Sequence, residues 1–490
     1  MQSHGTKVLR GLAIGMVILI ASAIASSQDT AVGNWTKLKN QPTFKTDIGL
    51  LLTDGSVMVH QYMSPNWYRL IPTNTGNYIN GTWKQTAPMQ SSYAPLYFAS
   101  AVLPDGRVLV EGGEYNNFQG NETNMGSIYD PVADKWTVVN PPTNWRTIGD
   151  SPAVILPDGT FMMGQGGQPA KLQVNFNASN LTWTSVGTGK ADGFSEEGFA
   201  LTPEGKVLTV DCEDGTNSEL YDPSSQAWST AGSTINVLPN SGGLGIVPEM
   251  GPLVQRPDGT IVAFGATTHN SIFDTTSGTW SKGPDYPGGN DIADGMGTLL
   301  PDGNILVFTS PGVFAGTGTF FEFTTSNTFV QAPNTVSGQT LQSWQGRLLG
   351  LPTGQVLYTA ADGASSDTEV YTPIGGPKAA WRPVITGGPQ TVTHGQTYTL
   401  SGKQFNGLSA GSTYGDDGQN ATNYPIVVIR NKATGHFSFT RTHNFSSGIA
   451  TGNTTVSTDF DVPAGIETGA STIYVVANGI ASGGKAITVN

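Results

Sequence analysis

The chain is 490 residues long, with 64 glycines, 30 prolines, 37% hydrophobic residues and only 12% charged residues, which predicts a folded, turn-rich protein of two domains or one large repetitive domain. The net charge of −13 and the lack of a basic cluster beyond the first residues argue against a nucleic-acid partner. A single cysteine, Cys212, excludes an intramolecular disulfide and a cysteine-rich metal site.

The first 25 residues have the pattern of a secretory leader. Lys7 and Arg10 precede an apolar run, 11–25, whose last residues form an A-x-A cleavage pattern ending at Ala25. The alternative is a membrane anchor, but this run has 15 residues, fewer than the roughly 20 needed to span a bilayer. We therefore predict a signal peptide over residues 1–25, a secreted or extracytoplasmic mature chain, and no membrane span after cleavage.

A hairpin pattern recurs seven times in the next 350 or so residues. In each copy an apolar run meets a tight turn, usually Pro-Asp-Gly, and a second apolar run follows. The turns are Asp54-Gly55, Asp105-Gly106, Asp158-Gly159, Glu204-Gly205, Asp258-Gly259, Asp302-Gly303 and Thr353-Gly354. Their spacings are 51, 53, 46, 54, 44 and 51 residues, and many hairpins precede an aromatic pair such as Tyr129 with Trp136. Four strands in a period of about 50 residues predict a seven-bladed kelch-type β-propeller over residues 32–381.

Two parts of the chain differ from this repeat. Trp35 precedes the first hairpin, and the sequence leaves open whether it belongs to an extra outer strand or to closure of the ring. After Trp381 the chain is rich in Thr and Gly, with short alternating runs such as 426–429. We predict a small Ig-like β-sandwich over residues 382–490, and hence an all-β protein. Residues 415–418 indicate a surface turn, since two carboxylates are too few to bind calcium.

In a propeller with this strand order, the Asp-Gly turns lie on one face and the loops before the innermost strands meet at the opposite end, which we call the mouth. Counting eight residues back from each turn gives Thr46, Tyr97, Asp150, Glu196, Met250, Asp294 and Gln345. Three of these are acidic, and neighbours such as Arg146, Glu249 and Trp344 add charged and aromatic groups. Carboxylates brought together raise each other's pKa or recruit a cation. The alternative is that they are solvated loop residues or caps of backbone amides.

A signal peptide, a seven-bladed kelch propeller and a C-terminal Ig-like domain together resemble the galactose oxidase and glyoxal oxidase group of secreted copper-radical enzymes. The resemblance covers nearly the whole mature chain, and it implies copper held by two tyrosines and two histidines, with one tyrosine cross-linked to a cysteine. By its offset from the blade turn, Tyr97 falls at the radical tyrosine. His443 resembles the histidine that the C-terminal domain lends to the copper. The cysteine position is Thr46, however, and the family's Tyr-His pair is Trp344-Gln345, so a copper-radical site is not supported.

We therefore expect a secreted, galactose-oxidase-like propeller that lacks copper-radical activity and binds a carbohydrate or cell-envelope ligand at an acidic mouth. The residues expected to bind the ligand are Tyr97, Arg146, Asp150, Glu196, Asp294, Trp344 and Gln345. We also expect a candidate site for a divalent cation such as Ca²⁺, Mg²⁺ or Mn²⁺. Its ligands would be the mouth residues Asp150, Glu196 and Asp294, together with His443 of the second domain. Cys212 is expected to be a buried structural thiol near the mouth end of blade four.

Two further classes of function stay open at this point. One is an extracellular oxidoreductase with an altered metal site, or a hydrolase that uses the mouth carboxylates for acid–base chemistry. The other is a structural interaction module of the cell envelope. Propellers host many unrelated activities, so the fold does not choose among them.

Overall fold

A computed structural model gives the fold, and it describes residues 31–166, 171–213, 215–241, 248–313, 315–413, 418–449 and 453–490. The predicted signal peptide, 1–25, lies outside the described residues. From Val32 onwards the chain forms one compact unit. Within the described ranges the helical structure consists of three single 3₁₀ turns, Pro287–Gly289, Ser343–Gln345 and Ala379–Trp381. No helix in that part of the chain is long and apolar enough to cross a membrane. The all-β prediction is confirmed.

Seven antiparallel sheets form the predicted seven blades, and each blade has four strands that run from the axis to the rim. The sheet of blade six has a fifth strand, which comes from the C-terminal region. The first strand is β1 (Asn34–Lys37). Blade one is β2 (Thr46–Leu51), β3 (Val57–Gln61), β4 (Trp67–Ile71) and β5 (Thr82–Gln85). The short strand β6 (Pro95–Leu96) precedes blade two, which is β7 (Ala99–Val102), β8 (Val108–Glu111), β10 (Gly126–Asp130) and β11 (Lys135–Val139), with β9 (Tyr115–Asn116) paired to β6.

The remaining blades follow the same order. Blade three is β12 (Ala153–Ile155), β13 (Phe161–Gly164), β14 (Gln173–Asn177) and β15 (Thr182–Val186). Blade four is β16 (Ala200–Leu201), β17 (Val207–Val210), β18 (Asn217–Asp222) and β19 (Ala227–Ser233). Blade five is β20 (Leu253–Gln255), β21 (Thr260–Phe264), β22 (Asn270–Asp274) and β23 (Thr279–Lys282). Blade six is β24 (Gly297–Leu299), β25 (Ile305–Thr309), β26 (Thr319–Phe323) and β27 (Phe329–Gln331). Blade seven is β28 (Gly346–Gly350), β29 (Val356–Ala360), β30 (Thr368–Thr372) and the N-terminal strand β1.

Strand β1 closes the ring, which answers the question that Trp35 left open. It is the outermost strand of blade seven, with Trp35 opposite Tyr371 in the register and the two ring centroids 4.9 Å apart. The other aromatic pairs of the repeat also lie across neighbouring strands, as Tyr129 and Trp136 do at 5.1 Å. These tryptophans therefore pack the blades together and are not placed to bind a ligand.

The seven turns between first and second strands have one backbone geometry. Their glycines have φ values from 76° at Gly55 to 93° at Gly303, a left-handed conformation that glycine adopts without steric cost. The turn aspartates accept hydrogen bonds from the backbone two residues later, as from the Ser56 amide to Asp54 Oδ1 at 3.1 Å. The Pro-Asp-Gly pattern thus specified the hairpins correctly.

The C-terminal region has a sheet that curls on itself. Its strands are β31 (Val384–Gly387), β32 (Thr391–Val392), β33 (Thr397–Lys403), β35 (Ile426–Asn431), β36 (Phe437–His443), β37 (Val456–Asp461), β38 (Gly469–Ala477), β39 (Ile480–Ala481) and β40 (Lys485–Val489). The region also contains β34 (Ser412–Thr413), which pairs outside this sheet. Strand β36 pairs with β35 through its first half and with β37 through Arg441 to His443. The two faces expected of an Ig-like sandwich are therefore joined into one continuous curled sheet, because a single strand bridges them.

This curled sheet covers the face of the propeller that carries the Asp-Gly turns. The Thr442 amide donates to the Thr53 carbonyl at 3.2 Å, and the Ser447 hydroxyl donates to the Leu156 carbonyl at 2.9 Å. Gly55 packs so tightly on the Phe439 ring that an added Cβ would lie 2.5 Å from it. The mouth, at the other end of the axis, is left uncovered by these contacts.

A segment of the C-terminal region enters the central channel from the covered end. Strand β34 adds to the inner edge of blade six by pairing with β24, and the Ser409 hydroxyl donates to the Gln255 carbonyl at 2.6 Å. The returning chain contacts the opposite inner strands, where Asn420 Nδ2 donates to the Leu348 carbonyl at 3.1 Å. Residues 415–417 of the predicted surface turn lie outside the described residues, but the segments on either side of them line the channel.

Candidate ligand-binding site at the mouth

The backbone at the mouth is strained at three of the seven predicted positions. Tyr97, Glu196 and Asp294 have φ values of 51°, 60° and 50°, in the left-handed region that side chains larger than glycine rarely adopt. Each residue lies shortly before the inner strand of its blade. Such conformations cost about 1–3 kcal/mol each and cluster at functional sites. The mouth therefore departs from the regular geometry of the turn end at the positions that sequence spacing selected.

One side of the mouth is rich in aromatic rings contributed by blades one, two and seven. This aromatic half consists of Tyr62, Tyr97, Tyr115, Phe118, Arg347 and Asp362. The Tyr97 and Tyr115 rings meet edge to face with centroids 6.0 Å apart, and the Arg347 guanidinium lies 5.8 Å from the Tyr97 ring centroid. The Tyr62 phenol is hydrogen-bonded to Asp362, and its ring lies 6.0 Å from that of Phe118. Apolar faces and hydrogen-bonding groups thus alternate on this side.

The electrostatics of the aromatic half keep its phenols protonated. Burial and the neighbouring Asp362 carboxylate raise the pKa of Tyr62 to about 12. The charge of Glu114, followed by burial, raises the pKa of Tyr115. Burial also raises the pKa of Asp362, against its hydrogen bonds to Gln345 and Tyr62. At neutral pH both phenols therefore stay protonated, with the Tyr62 hydroxyl donated to Asp362 and the Tyr115 hydroxyl to Glu114. Each phenol oxygen can still accept a hydrogen bond from a ligand hydroxyl.

The other side of the mouth is acidic. Carboxylate oxygens of Glu196, Glu249 and Asp294 lie within 4.8 Å of one another, so two of the three predicted acidic positions do come together. Asp150 is not part of this group. Its charge instead reaches Tyr115 of the aromatic half, and Glu249 occupies the third place. We call these three carboxylates the acidic half, and cation binding there stays a prediction.

His443 does not join this group of carboxylates. It lies on β36 in the curled sheet, with Nε2 3.0 Å from Asp461 Oδ1, next to a residue that bonds to the turn end of blade one. The sheet that carries His443 covers the Asp-Gly face, whereas the acidic half lies at the opposite end. The C-terminal histidine predicted as a metal ligand is therefore on the wrong side of the propeller.

A buried lysine lies beneath the acidic half in blade four. Lys190 Nζ is 2.9 Å from Glu197, 3.4 Å from Asp211, 2.5 Å from Asp192 and 2.6 Å from Glu219. Burial opposes its charge, but the surrounding carboxylates outweigh burial and raise the pKa of Lys190. Burial raises the pKa of Asp211 to about 7. The Lys190 ammonium group thus serves as the counter-ion of the carboxylates around it.

Cys212 links this buried cluster to the mouth. It is 5% exposed, and its thiol donates to the Glu196 carbonyl oxygen at 2.9 Å. The next residue after Glu196 is Glu197, which binds Lys190. The predictions that Cys212 is buried and lies near the mouth end of blade four agree with this placement. The backbone of Glu196 is thus fixed by the Cys212 thiol and by the ion pair of the next residue.

The residues at the copper-ligand positions do not fit a copper-radical site. The Thr46 hydroxyl is buried and donates to the Ala360 carbonyl at 2.7 Å, and Trp344 Nε1 donates to the Val313 carbonyl at 2.8 Å. Gln345 bonds to Asp362 and to the backbone of its own turn. His60, in blade one, uses both ring nitrogens on Asp47 and the Ser64 carbonyl. The positions expected to supply the thiol, the second tyrosine and its neighbouring histidine are therefore filled by Thr46, Trp344 and Gln345, which offer none of these groups.

Sequence reasoning found part of the site and missed the rest. It selected Tyr97, Trp344 and Gln345, of which Trp344 and Gln345 are half-buried at the entrance to blade seven, while the predicted Arg146 is exposed. It missed Tyr62, Tyr115, Phe118 and Asp362. All four lie in loops that follow the second strand of their blades, and these loops also reach the mouth.

Comparison with known proteins gives the same fold. No protein-family model matches the chain. Over 206 residues the sequence is 26% identical to the kelch-like protein terF of Aspergillus terreus, a match that spans 37% of this chain and 44% of that protein. A fungal alcohol oxidase of the AA5 family, solved in complex with copper, superposes with a TM-score of 0.50 at 15% identity, covering 94% of this chain and 99% of the oxidase. The chain is thus similar to a kelch-like protein and has the fold of the galactose and alcohol oxidases.

Proposed function

We propose that this chain is a secreted kelch-type propeller protein that binds a neutral carbohydrate at its mouth and has no copper-radical oxidase activity. The observation that carries the proposal is the aromatic half. A sugar ring has an apolar face, which stacks on aromatic side chains, and an edge of hydroxyls, which needs nearby donors and acceptors. Tyr62, Tyr115 and Asp362 supply both kinds of contact.

The charge of the mouth supports a neutral ligand over an acidic one. Asp362 lies in the aromatic half and Asp150 acts on it from outside, and the acidic half adds three more carboxylates. Against these five carboxylates the aromatic half sets the Arg347 guanidinium. Like charges brought together at a binding interface cost several kcal/mol and suppress the wrong partners. Uronic acids and sulfated sugars are therefore disfavoured, whereas uncharged hydroxyls can hydrogen-bond to these carboxylates.

The absence of oxidase chemistry is supported by the contacts of the substituted residues. Thr46 and Trp344 are committed to backbone carbonyls, so neither side chain is available to a metal. Secretion is supported by the leader pattern of the sequence, and a single cysteine is compatible with an exported protein stabilised by packing.

The test is calorimetric titration of the purified mature protein with neutral oligosaccharides. We expect binding by the unmodified protein and a roughly two- to tenfold weaker affinity for Tyr115→Ala, since one aromatic contact is lost. The matched control is Tyr398→Ala, in the curled sheet, which should bind as the unmodified protein does. Equal binding by Tyr115→Ala, or no binding by the unmodified protein, overturns the proposal.

A second assay addresses the oxidase chemistry. The copper-loaded protein is offered primary alcohols, galactose and glyoxal, and peroxide release is measured together with the spin-resonance spectrum. We expect no peroxide and no tyrosyl-radical signal. Sustained peroxide release would show an enzyme with an altered metal site instead.

A further inference from the structure

Phe118 breaks a local rule of backbone geometry at the rim of the mouth. It is the second central residue of a two-residue turn, in which the Asn116 and Gln119 backbones exchange hydrogen bonds of 3.0 and 3.1 Å. Asn117 and Phe118 have φ values of 52° and 61°. Turns with two left-handed residues strongly prefer glycine at this second position, and a bulky residue there is an outlier.

The fold gains little from this exception. The Phe118 side chain is 66% exposed, and its ring contact is the edge-to-face one with Tyr62. An exposed aromatic ring on a strained backbone is neither good packing nor good turn chemistry. A residue that breaks a local rule without benefit to the fold indicates a functional role.

The turn holds the Phe118 ring in a fixed place. Asn117 donates from its backbone amide to the Ala94 carbonyl at 3.1 Å and from its side chain to the Ser92 carbonyl at 2.9 Å. In return, the Ala94 amide donates to Asn116 Oδ1 at 2.8 Å. A ring held in advance loses little conformational entropy when a ligand stacks on it.

We infer that Phe118 is a second sugar platform, outside the central part of the mouth, and that the ligand is a neutral oligosaccharide chain and not a single sugar. One sugar unit lies against Tyr97 and Tyr115, and a following unit stacks on Phe118, the exposed ring at the rim of the aromatic half. This inference rests on the proposed carbohydrate function and adds the chain length of the ligand to it. It also explains why an aromatic residue stands where the turn favours glycine.

The experiment compares Phe118→Gly and Phe118→Trp with the unmodified protein, using calorimetric titration with one neutral oligosaccharide series of increasing length. We expect affinity to rise from the single sugar to the longer chains in the unmodified protein and in Phe118→Trp. In Phe118→Gly the affinity for the single sugar should be unchanged, and the longer chains should lose about two- to tenfold. Val132→Ala, at another exposed apolar residue (69% exposed), is the matched control and should behave as the unmodified protein.

The Tm of Phe118→Gly separates a functional ring from a structural one. Because glycine adopts the left-handed turn without strain, we expect the Tm to rise by about 1–2 °C. A lower Tm would show that the ring serves the fold, and that result overturns the inference. So does binding that ignores chain length or an unchanged affinity of Phe118→Gly for long chains, while the carbohydrate function itself stands. If the unmodified protein binds no sugar, the proposed function falls as well.

Discussion

The two ends of the propeller differ in how closely they follow local rules, although the same strands connect them. At the turn end, seven tight turns repeat one geometry with glycine at each left-handed position, and the curled sheet covers that face. At the mouth the loops differ from blade to blade, and Tyr97, Glu196 and Asp294 take left-handed conformations without being glycine. The mouth therefore combines left-handed residues next to the inner strands with a surface that the curled sheet leaves uncovered, and a propeller can bind a ligand at such a place.

The difference extends to how charges are handled. At the turn end, pairs such as Lys206 with Asp222 are part-exposed, with side chains 40% and 31% accessible. At the mouth end, Lys190 is 2% accessible and has carboxylates on several sides. Part-exposed pairs contribute little to stability, whereas a buried ion left without its partner is strongly destabilising. The buried ion pairs of Lys190 at the mouth end are thus needed for the stability of the fold.

The largest effect we predict comes from removing the buried cation of the mouth end. Lys190→Met leaves Glu197, Asp211 and their neighbours without a counter-ion, and we expect a loss of about 3–5 kcal/mol in the free energy of unfolding. Urea unfolding measures it. The control is Lys206→Met at the turn end, where the loss should stay below about 1 kcal/mol. Similar losses in both variants would remove the distinction between the two ends.

The next prediction concerns the acidic half. If a divalent cation binds only the folded protein, it adds about 2.7 kcal/mol of stability at a hundredfold excess over Kd, so millimolar Ca²⁺ or Mn²⁺ should raise the Tm. Glu249→Gln should remove the response, because Glu249 belongs to the group of three carboxylates. Asp150→Asn, outside that group, should keep it. A Tm that ignores divalent ions would show that the carboxylates are solvated loop residues.

The same contrast explains what sequence could and could not predict. The turn end follows from local signals, since each Pro-Asp-Gly turn is specified by its own residues, and the period gives the blade count. The channel strand β34 could not be found, because it pairs with β24 more than a hundred residues earlier and has no alternating pattern of its own. Likewise, only long-range pairing of β36 shows that the sandwich is one curled sheet.

The mouth is predictable only in part, for a related reason. Positions before the inner strands lie at a constant offset from the turns, so Glu196 and Asp294 were found, and their neighbour Glu249 was noted beside Met250. Loops after the second strands vary in length from blade to blade, so their residues, such as Tyr115 and Asp362, have no fixed offset. Phe118 has no sequence pattern that predicts its turn, because a turn of this type favours glycine at its position.

A third prediction tests the cover of the turn end. Gly55→Ala forces a left-handed alanine and also pushes a methyl group into the Phe439 ring of the curled sheet. Gly278, with φ 67° and nothing within 4 Å of an added Cβ, isolates the conformational part. We expect Gly278→Ala to lose about 1 kcal/mol and Gly55→Ala to lose a further 1–3 kcal/mol from overpacking, roughly. Equal losses in thermal unfolding would mean that the sheet yields freely at this contact.

The smallest effect is a pH dependence at the mouth end of blade two. Glu111 is completely buried, and within the described residues neither carboxylate oxygen has a hydrogen-bond partner. Burial raises the pKa of Glu111 above its usual 4.5. Its contribution to stability is therefore complete below that usual value and is lost as pH rises through the pKa of the folded state.

Glu111→Gln should remove this dependence. We expect the variant to gain stability relative to the unmodified protein as urea unfolding is repeated from pH 4 to pH 8, because the amide has no charge to bury. An advantage that stays constant across this range, or shrinks as pH rises, would contradict a raised pKa of Glu111 in the folded state.

The claim that the ligand binds at the mouth is tested most directly by amide hydrogen exchange, measured with and without a saturating neutral oligosaccharide. Binding at the aromatic half should slow exchange in the loops at 112–119 and 361–363, which contain Tyr115, Phe118 and Asp362. The seven tight turns of the opposite face and the curled sheet should exchange at the same rates in both samples. Protection confined to those turns or to the curled sheet, with the mouth loops unchanged, would place the ligand at the covered end and contradict the account.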